Sequence, residues 1–371
     1  MLGLHAGAVE NLTLMMMDNS KFFACIMAGG SGERFWPMSR ARTPKHLLKL
    51  LSERTLVEET VRRLGDAVPR ENIFVLTNEV QLPATREALA GLVAPERIVA
   101  EPAKRDTAPA AALATALARS WGGEGATVAL LPADAYIADA AMCGKQIRAA
   151  LERAASAGTI VTVAIPPDHP ATGFGYLEMG EDRATGPAGV VREVKRFVEK
   201  PNLEKAREYL ACGRYAWNAG MFFWSVATFV AEAERSTPEL ATFIREFPQG
   251  DFASYLQTQF PALPKISVDY AIMEKARAVE TLLAQFDWDD VGLWTALPKH
   301  LKNDASGNAT RGAVAAVDSA NNIAVSNGRT IALCGVKDLV VVETADAILV
   351  CHRDSVQNVK QLVPLLPKEL L

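Results

Sequence analysis

Five short runs rich in apolar residues, at 22–28, 72–77, 97–100, 127–131 and 159–165, alternate with helix-patterned segments at 55–64, 84–92, 107–120 and 143–157. Strands without a polar face must be covered on both sides, so the alternation predicts an α/β domain: a mostly parallel sheet flanked by helices. Ligands of such sheets sit outside the carboxyl ends of the strands. The residues that directly follow each run are therefore the ones that carry chemistry.

From about Gly307 the texture changes. Short runs at 313–317, 323–325, 331–333, 339–342 and 347–350 are separated by turns such as Asp318-Ser319-Ala320-Asn321-Asn322 and Asn327-Gly328. They predict a small all-β domain closed by a short helix near 356–363. No strict repeat period is visible, so pattern alone does not make it a solenoid. The expected division is a loose extension at 1–19, an α/β domain at 20–303 and a β domain at 304–371. The extension lacks a basic n-region and carries Glu10 within its apolar part, which makes it a poor signal peptide. Met15, Met16 and Met17 are alternative starts.

Composition excludes several classes. The net charge is -4 and no run of Lys or Arg occurs, so nothing favours nucleic acid or an anionic membrane. No stretch reaches the roughly 18 to 20 apolar residues that a membrane helix needs. The five cysteines are scattered without a CxxC pair, against zinc and against a disulfide framework. The expectation is a cytoplasmic protein with reduced thiols.

The first run leads directly into Gly29-Gly30-Ser31-Gly32-Glu33-Arg34-Phe35-Trp36-Pro37. Glycines at this place let backbone N–H groups approach phosphate oxygens, because no Cβ intervenes. Three familiar loops do not fit. A Walker loop ends in Gly-Lys-Ser/Thr, a dinucleotide fingerprint needs a small residue where the bulky Phe35-Trp36-Pro37 stands, and Glu33 spoils a Gly-x-Ser-x-Gly elbow. What remains is a phosphate-cradling loop containing Arg34, with a second cation, Lys45, after Pro44. Arg offers bidentate hydrogen bonds and Lys a point charge, which suits a triphosphate clamp. Asp134 follows the fourth run, where Asp is a common helix cap.

The run from Ala28 to Leu48, AGGSGERFWPMSRARTPKHLL, resembles the signature of the nucleotide-sugar pyrophosphorylases. Its Phe35-Trp36-Pro37-Met38-Ser39-Arg40 portion is similar to the mannose-1-phosphate guanylyltransferase branch, and the likeness extends over residues 21 to about 365. The resemblance implies a Rossmann-like nucleotidyltransferase domain followed by a short β-helix-like domain. It implies in-line nucleotidyl transfer with Mg2+, from GTP to mannose 1-phosphate, releasing pyrophosphate. Relatives often dimerise, which makes a homodimer with the small β domain as contact surface the expected assembly, although the sequence itself does not give the oligomeric state. Longer relatives carry an isomerase domain beyond these elements; the chain ends at Leu371, so isomerase activity is not expected.

Residue by residue, the resemblance puts Ala28, Gly29, Gly30 and Gly32 at the nucleotide and Arg34 and Lys45 at the departing pyrophosphate. Asp134 and Asp290 match the metal-binding aspartates, with Asp289 a bystander. The segment Glu101 to Ala110 matches the nucleobase segment, with Asp106 and Thr107 at the nucleotide. Read physically, that segment is a strand end and a helix start in which Asp106 or Thr107 caps and Pro109 lies in the first turn. Relatives usually carry Asn in place of Asp106, so a contact that needs an amide donor does not transfer, and often His in place of Ala135, so no role for that imidazole does. Gly173, Gly175, Glu199 and Asn218 match the sugar side, and Lys200 matches the cation for the sugar phosphate. Asp269 lies in a further motif of that branch, whose apolar residues read as core. His46, His169, His300 and His352 form no ligand set. Another sugar 1-phosphate, such as a heptose 1-phosphate, or another nucleotide remains an alternative, as does a non-catalytic binding paralogue.

Overall fold

The computed structural model describes residues 19–371, so the expected extension lies outside the described residues except for Asn19. No helix among the described residues is long and apolar enough to cross a membrane. A nine-stranded sheet dominates. Strands β1 (Phe22–Met27), β2 (Ile73–Asn78), β3 (Ile98–Glu101) and β4 (Thr127–Pro132) stand in the order β3-β2-β1-β4, all parallel. Beyond β4 come β8 (Tyr215–Ser225), β5 (Ile160–Ile165), β9 (Val279–Leu283), β7 (Gly189–Val198) and β6 (Tyr176–Gly186). Only β7 and β8 run against the rest, so the sheet is mostly parallel as expected. One edge of β8 serves β4 at its C-terminal end and β6 at its N-terminal end. Strands β5, β9, β7, β6 and β8 thereby close on themselves.

Helices α1 (Leu56–Arg63), α2 (Leu82–Ala88), α3 (Thr107–Gly122) and α4 (Ala140–Ala157) fall at the expected segments. They are followed by α5 (Leu203–Cys212), α6 (Val226–Ser236), α7 (Pro238–Glu246), α8 (Ala253–Gln259) and the single turn α9 (Val268–Ala271). Thr55 and Glu58 form a reciprocal capping box that starts α1, the Thr55 amide donating to Glu58 Oε2 at 2.7 Å. Alternation along β1 divides the core in two: Phe23 and Cys25 face α3 and α7, while Phe22, Ala24 and Ile26 face α1 and α4. Helix α3 is buried on nearly every side, and its alanines let it lie close against the sheet.

The C-terminal domain stacks β10 (Ala309–Arg311), β12 (Ile323–Val325) and β14 (Leu339–Glu343) in parallel, with β11 (Val314–Val317) on β13 (Ile331–Cys334) and β15 (Ile348–His352) antiparallel to β14. Fourteen residues separate Ala309 from its partner Ile323, but seventeen separate Ile323 from Val340 and Val314 from Ile331. This unequal coil length is why no strict period shows in the sequence. Inside the turns, buried Asn322 donates from Nδ2 to Asn308 Oδ1 at 2.9 Å, one coil satisfying the next. The expected closing helix is in fact a 3-10 segment, Arg353–Asn358, then α10 (Val359–Leu362) and a further 3-10 turn.

The two domains share one apolar cluster. Phe35, Trp36, Leu50, Leu56 and Trp294 pack with Ile323, Val325, Val340, Val342, Val356 and Val359. The Trp36 indole donates to the Leu370 carbonyl at 3.0 Å, and Arg40 pairs with Asp346 at 3.0 Å. The bulky residues of the glycine loop are thus the floor on which the β domain rests.

Candidate active site

The loop leaves β1 from a fixed point. The Ala28 amide donates to Leu76 at 2.7 Å, and its carbonyl accepts from Thr77 Oγ1 at 2.8 Å. A Cβ added at Gly29 or Gly30 would meet nothing within 4 Å, so both backbones lie open. Gly32 differs: its φ is 63°, and a Cβ there would stand 2.5 Å from Lys45 Cβ and 2.7 Å from Lys45 N. Only glycine lets Lys45 pass under the loop. Lys45 is buried, and its Nζ donates to Asp134 Oδ2 at 2.9 Å and to the Asp290 carbonyl.

A two-residue bridge brings the aspartates together. Tyr136 and Asp289 exchange backbone hydrogen bonds of 2.8 and 3.0 Å, which draws the segment after β9 onto the end of β4. Asp289 holds this corner: it accepts from the Val291 amide at 2.7 Å, and its Oδ2 lies 2.8 Å from His300 Nε2. Val291 is β-branched yet sits at φ 43°, a conformation kept only where the surroundings over-determine it. Both Arg63 Nη atoms donate to the Ala135 carbonyl at 3.1 Å, fixing the chain just after Asp134. Burial raises the Asp290 pKa; Lys45 opposes the rise, and Asp289 and Asp134 add to it. A buried carboxylate that resists ionisation, in a cavity that a second carboxylate also lines, invites a cation. Among the described residues no group of three or more His, Cys, Asp or Glu is placed to hold a metal. The donor set fits a hard divalent ion that takes one or two carboxylates and completes its shell with phosphate oxygens and water.

Two cavities meet here. One, of about 320 Å³, is lined by Gly29, Gly30, Lys45, Glu101, Asp106, Thr107 and Asp134 among others. The other, of about 410 Å³, is lined by Gly32, Arg34, Lys45, Asp134, Asp290 and Lys360 among others. They share Gly32, Lys45 and Asp134. His46 in the first cavity is buried, which pushes its pKa down to about 4, so the imidazole is neutral and brings no charge to the cavity. The expected cap at Asp106 is corrected: it occupies the N-cap position of α3 without a side-chain hydrogen bond, at φ 71° and ψ -174°. That backbone is essentially a glycine conformation, and it leaves the side chain lining the cavity instead. Thr107 does not cap either; its Oγ1 accepts from the Val268 amide at 2.9 Å and ties α3 to α9.

Sequence reasoning gave two residues no role of their own: Glu101, named only as the start of the nucleobase segment, and Lys360. Glu101 ends β3, and its carboxyl makes no hydrogen bond among the described residues; burial pushes its pKa up to about 8. Its place at a strand's carboxyl end was the available signal. Lys360 comes from α10 of the other domain, and nothing local in the sequence marks it.

The sugar-side residues form a second cluster that lines neither cavity. A Cβ at Gly175 would lie 2.6 Å from Glu199 Oε2, so this glycine makes room for that carboxylate, which pairs with Lys200. Lys200 stands at φ 47°, its amide donating to the Phe174 carbonyl at 3.2 Å. Asn218 accepts through Oδ1 from Thr162 Oγ1 at 2.8 Å, which leaves its amide NH2 as free donors among the described residues. Gly173 is exposed beside Phe174, whose ring meets Trp288 at 5.4 Å, two residues from Asp290. Asp269 joins this cluster: burial, with Glu199 nearby, pushes its pKa up to about 6 against the pull of Lys200.

Residues 23–307 match the family model described as nucleotidyl transferase. The chain belongs to the nucleotidyl transferase family. Residues 312–366 match a second model, the MannoseP isomerase/GMP-like beta-helix domain. Among the similar members of the nucleotidyl transferase family is the mannose-1-phosphate guanylyltransferase of Escherichia coli, 38% identical over 94% of this chain and 74% of its own length. That of Sinorhizobium fredii is 36% identical over 97% of this chain and 70% of its own. These relatives put the chain in the mannose-1-phosphate guanylyltransferase branch. A crystal structure from Thermus thermophilus, described as a mannose-1-phosphate geranyltransferase, superposes with a TM-score of 0.84 at 34% identity, covering 93% of this chain and 99% of that one. Nucleotidyl transferases of this family generally use a divalent metal, in keeping with the paired aspartates.

Proposed function

We propose that the chain transfers GMP from GTP to mannose 1-phosphate in the cytoplasm, giving GDP-mannose and pyrophosphate, with Mg2+ held by Asp134 and Asp290. Residues 20–303 form the catalytic domain in this reading and 304–371 the small β domain. The observation that carries the base assignment is the Glu101 carboxyl, unpartnered among the described residues, in the cavity beside the glycine loop. Guanine presents two adjacent donors, N1–H and the 2-amino group, which would favour the ionised carboxylate over the protonated form that burial holds in the free protein. Adenine, cytosine and uracil do not offer that pair.

The sugar phosphate dianion is already a competent nucleophile, so its oxygen attacks the α-phosphorus in line without a general base. The work of the protein is positioning and charge neutralisation. The bound metal supplies charge neutralisation at the α-phosphate. Gly29 and Gly30 present amides to phosphate oxygens, and Ala28, Asp106 and Thr107 shape the nucleotide's seat. Arg34 grips the departing pyrophosphate as a bidentate donor. Lys45 holds Asp134 in place and donates to the same pyrophosphate when nucleotide enters. Lys200 takes the sugar phosphate, while Glu199 and the Asn218 amide meet sugar hydroxyls, and the open backbones of Gly173 and Gly175 let the sugar approach.

A homodimer through the small β domain belongs to this reading; Val317, Ile348 and Val350 are exposed there. The deciding measurement is pyrophosphate release with Mg2+, comparing GTP with ATP, CTP and UTP, and mannose 1-phosphate with glucose 1-phosphate. Release that depends on GTP and mannose 1-phosphate supports the reading. Release with another pair keeps the chemistry and changes the substrates, and no release with any pair overturns it.

A further inference from the structure

We infer that Lys360, supplied by the small C-terminal domain, binds the β- and γ-phosphates of the nucleotide and the pyrophosphate that leaves. This rests on the nucleotidyl transfer proposed above and adds a binding residue from outside the catalytic domain.

The placement follows from packing. Val356 and Val359 are buried in the cluster that contains Phe35 and Trp36, so α10 lies against the turn Glu33–Phe35. The position after Val359 then reaches the cavity that holds Arg34, Lys45, Asp134 and Asp290. Lys45 in that cavity shares its charge with Asp134. Arg34 and Lys360 are exposed and form no ion pair among the described residues. Once a divalent cation and Lys45 have answered the two aspartates, most of the charge of a triphosphate remains to be met. Two unpaired cations on opposite domains, facing one cavity, meet it. Catalytic competence then depends on the β domain being docked, because one of the two arrives with it.

The test uses the full chain with Lys360→Ala, Lys360→Arg and Lys360→Glu. Removing a charge-assisted phosphate contact is expected to raise the KM for pyrophosphate in the reverse reaction about tenfold or more. The KM for GTP rises in parallel, and the KM for mannose 1-phosphate stays within about twofold. Arg restores most of the effect and Glu exceeds Ala. Thermal unfolding should be unchanged, since the side chain is exposed. Calorimetric binding of magnesium pyrophosphate to each variant reads Lys360 independently of base and sugar. If wild type binds pyrophosphate but turns over neither GTP nor mannose 1-phosphate, the substrate reading fails while the Lys360 comparison stands. Equal pyrophosphate affinity in wild type and Lys360→Ala, or an equal loss toward every substrate, overturns the inference.

Discussion

Lys45 Nζ lies 2.9 Å from Asp134 Oδ2 and donates as well to the carbonyl of Asp290, so one buried ammonium ties together residues 89 and 245 positions away in the chain. Its charge opposes the rise of the Asp290 pKa, and it lines both cavities, where the proposed reading seats the triphosphate. Lys45→Met keeps the stem that fills the space beneath Gly32 and removes the charge. Turnover is expected to drop about 10²- to 10³-fold, as for other preorganised electrostatic groups, with circular dichroism unchanged. Near-normal turnover would remove Lys45 from the proposed chemistry.

Asp290 sets stability against activity. Its pKa is raised in the fold, so above the ordinary carboxylate range it keeps a charge that the fold disfavours. Asp290→Asn is therefore expected to raise the melting temperature at pH 8 in the presence of chelator, and to lose turnover by orders of magnitude with Mg2+. A variant that is both less stable and fully active contradicts the metal assignment.

Glu101 gives a pH signature. Its pKa rises from the ordinary 4.5 to about 8, so between these values the unfolded chain has released a proton that the folded chain retains. Stability contributed by this group is thus lost as pH rises through that window. Melting of the ligand-free protein from pH 5 to 8 should fall more steeply for wild type than for Glu101→Gln. The same variant should lose the preference for GTP over ITP, which lacks the 2-amino donor. An unchanged preference would free Glu101 from base reading.

Two glycines in one loop should behave differently. Gly32→Ala forces a Cβ into Lys45 and strains a positive φ, with an expected loss of about 1–3 kcal/mol of stability. Gly30→Ala meets no protein atom, so folding is preserved and only the KM for GTP rises. Denaturant melts and nucleotide titrations of the two variants separate the roles. Equal destabilisation by both would argue against an open phosphate seat at Gly30.

Strands β1 to β5 were legible because they are short, largely apolar runs, and β1, β3 and β4 lead to Gly29, Glu101 and Asp134. The antiparallel additions were not. Strands β6 and β7 mix exposed and buried positions without a clean alternation, and helices α5 to α8 lie in a stretch whose pattern was not resolved into elements. Asp134 and Asp290 were found through family resemblance; the Tyr136–Asp289 bridge that joins them has no local signal. Capping was misread at Asp106 because composition at a helix start does not reveal φ. Lys360 escaped because its meaning depends on Val359 docking against Phe35, a contact that spans both domains.

The hydrogen bond from the Trp36 indole to the Leu370 carbonyl has a dynamic consequence. Trp36 follows the phosphate loop by a few residues, and Leu370 is next to the last residue of the chain. Local opening around Leu370 and breathing of the loop are therefore expected to be coupled. Amide hydrogen exchange at these two places should rise and fall together. Leu370 is in that sense the latch of the loop that Trp36 follows.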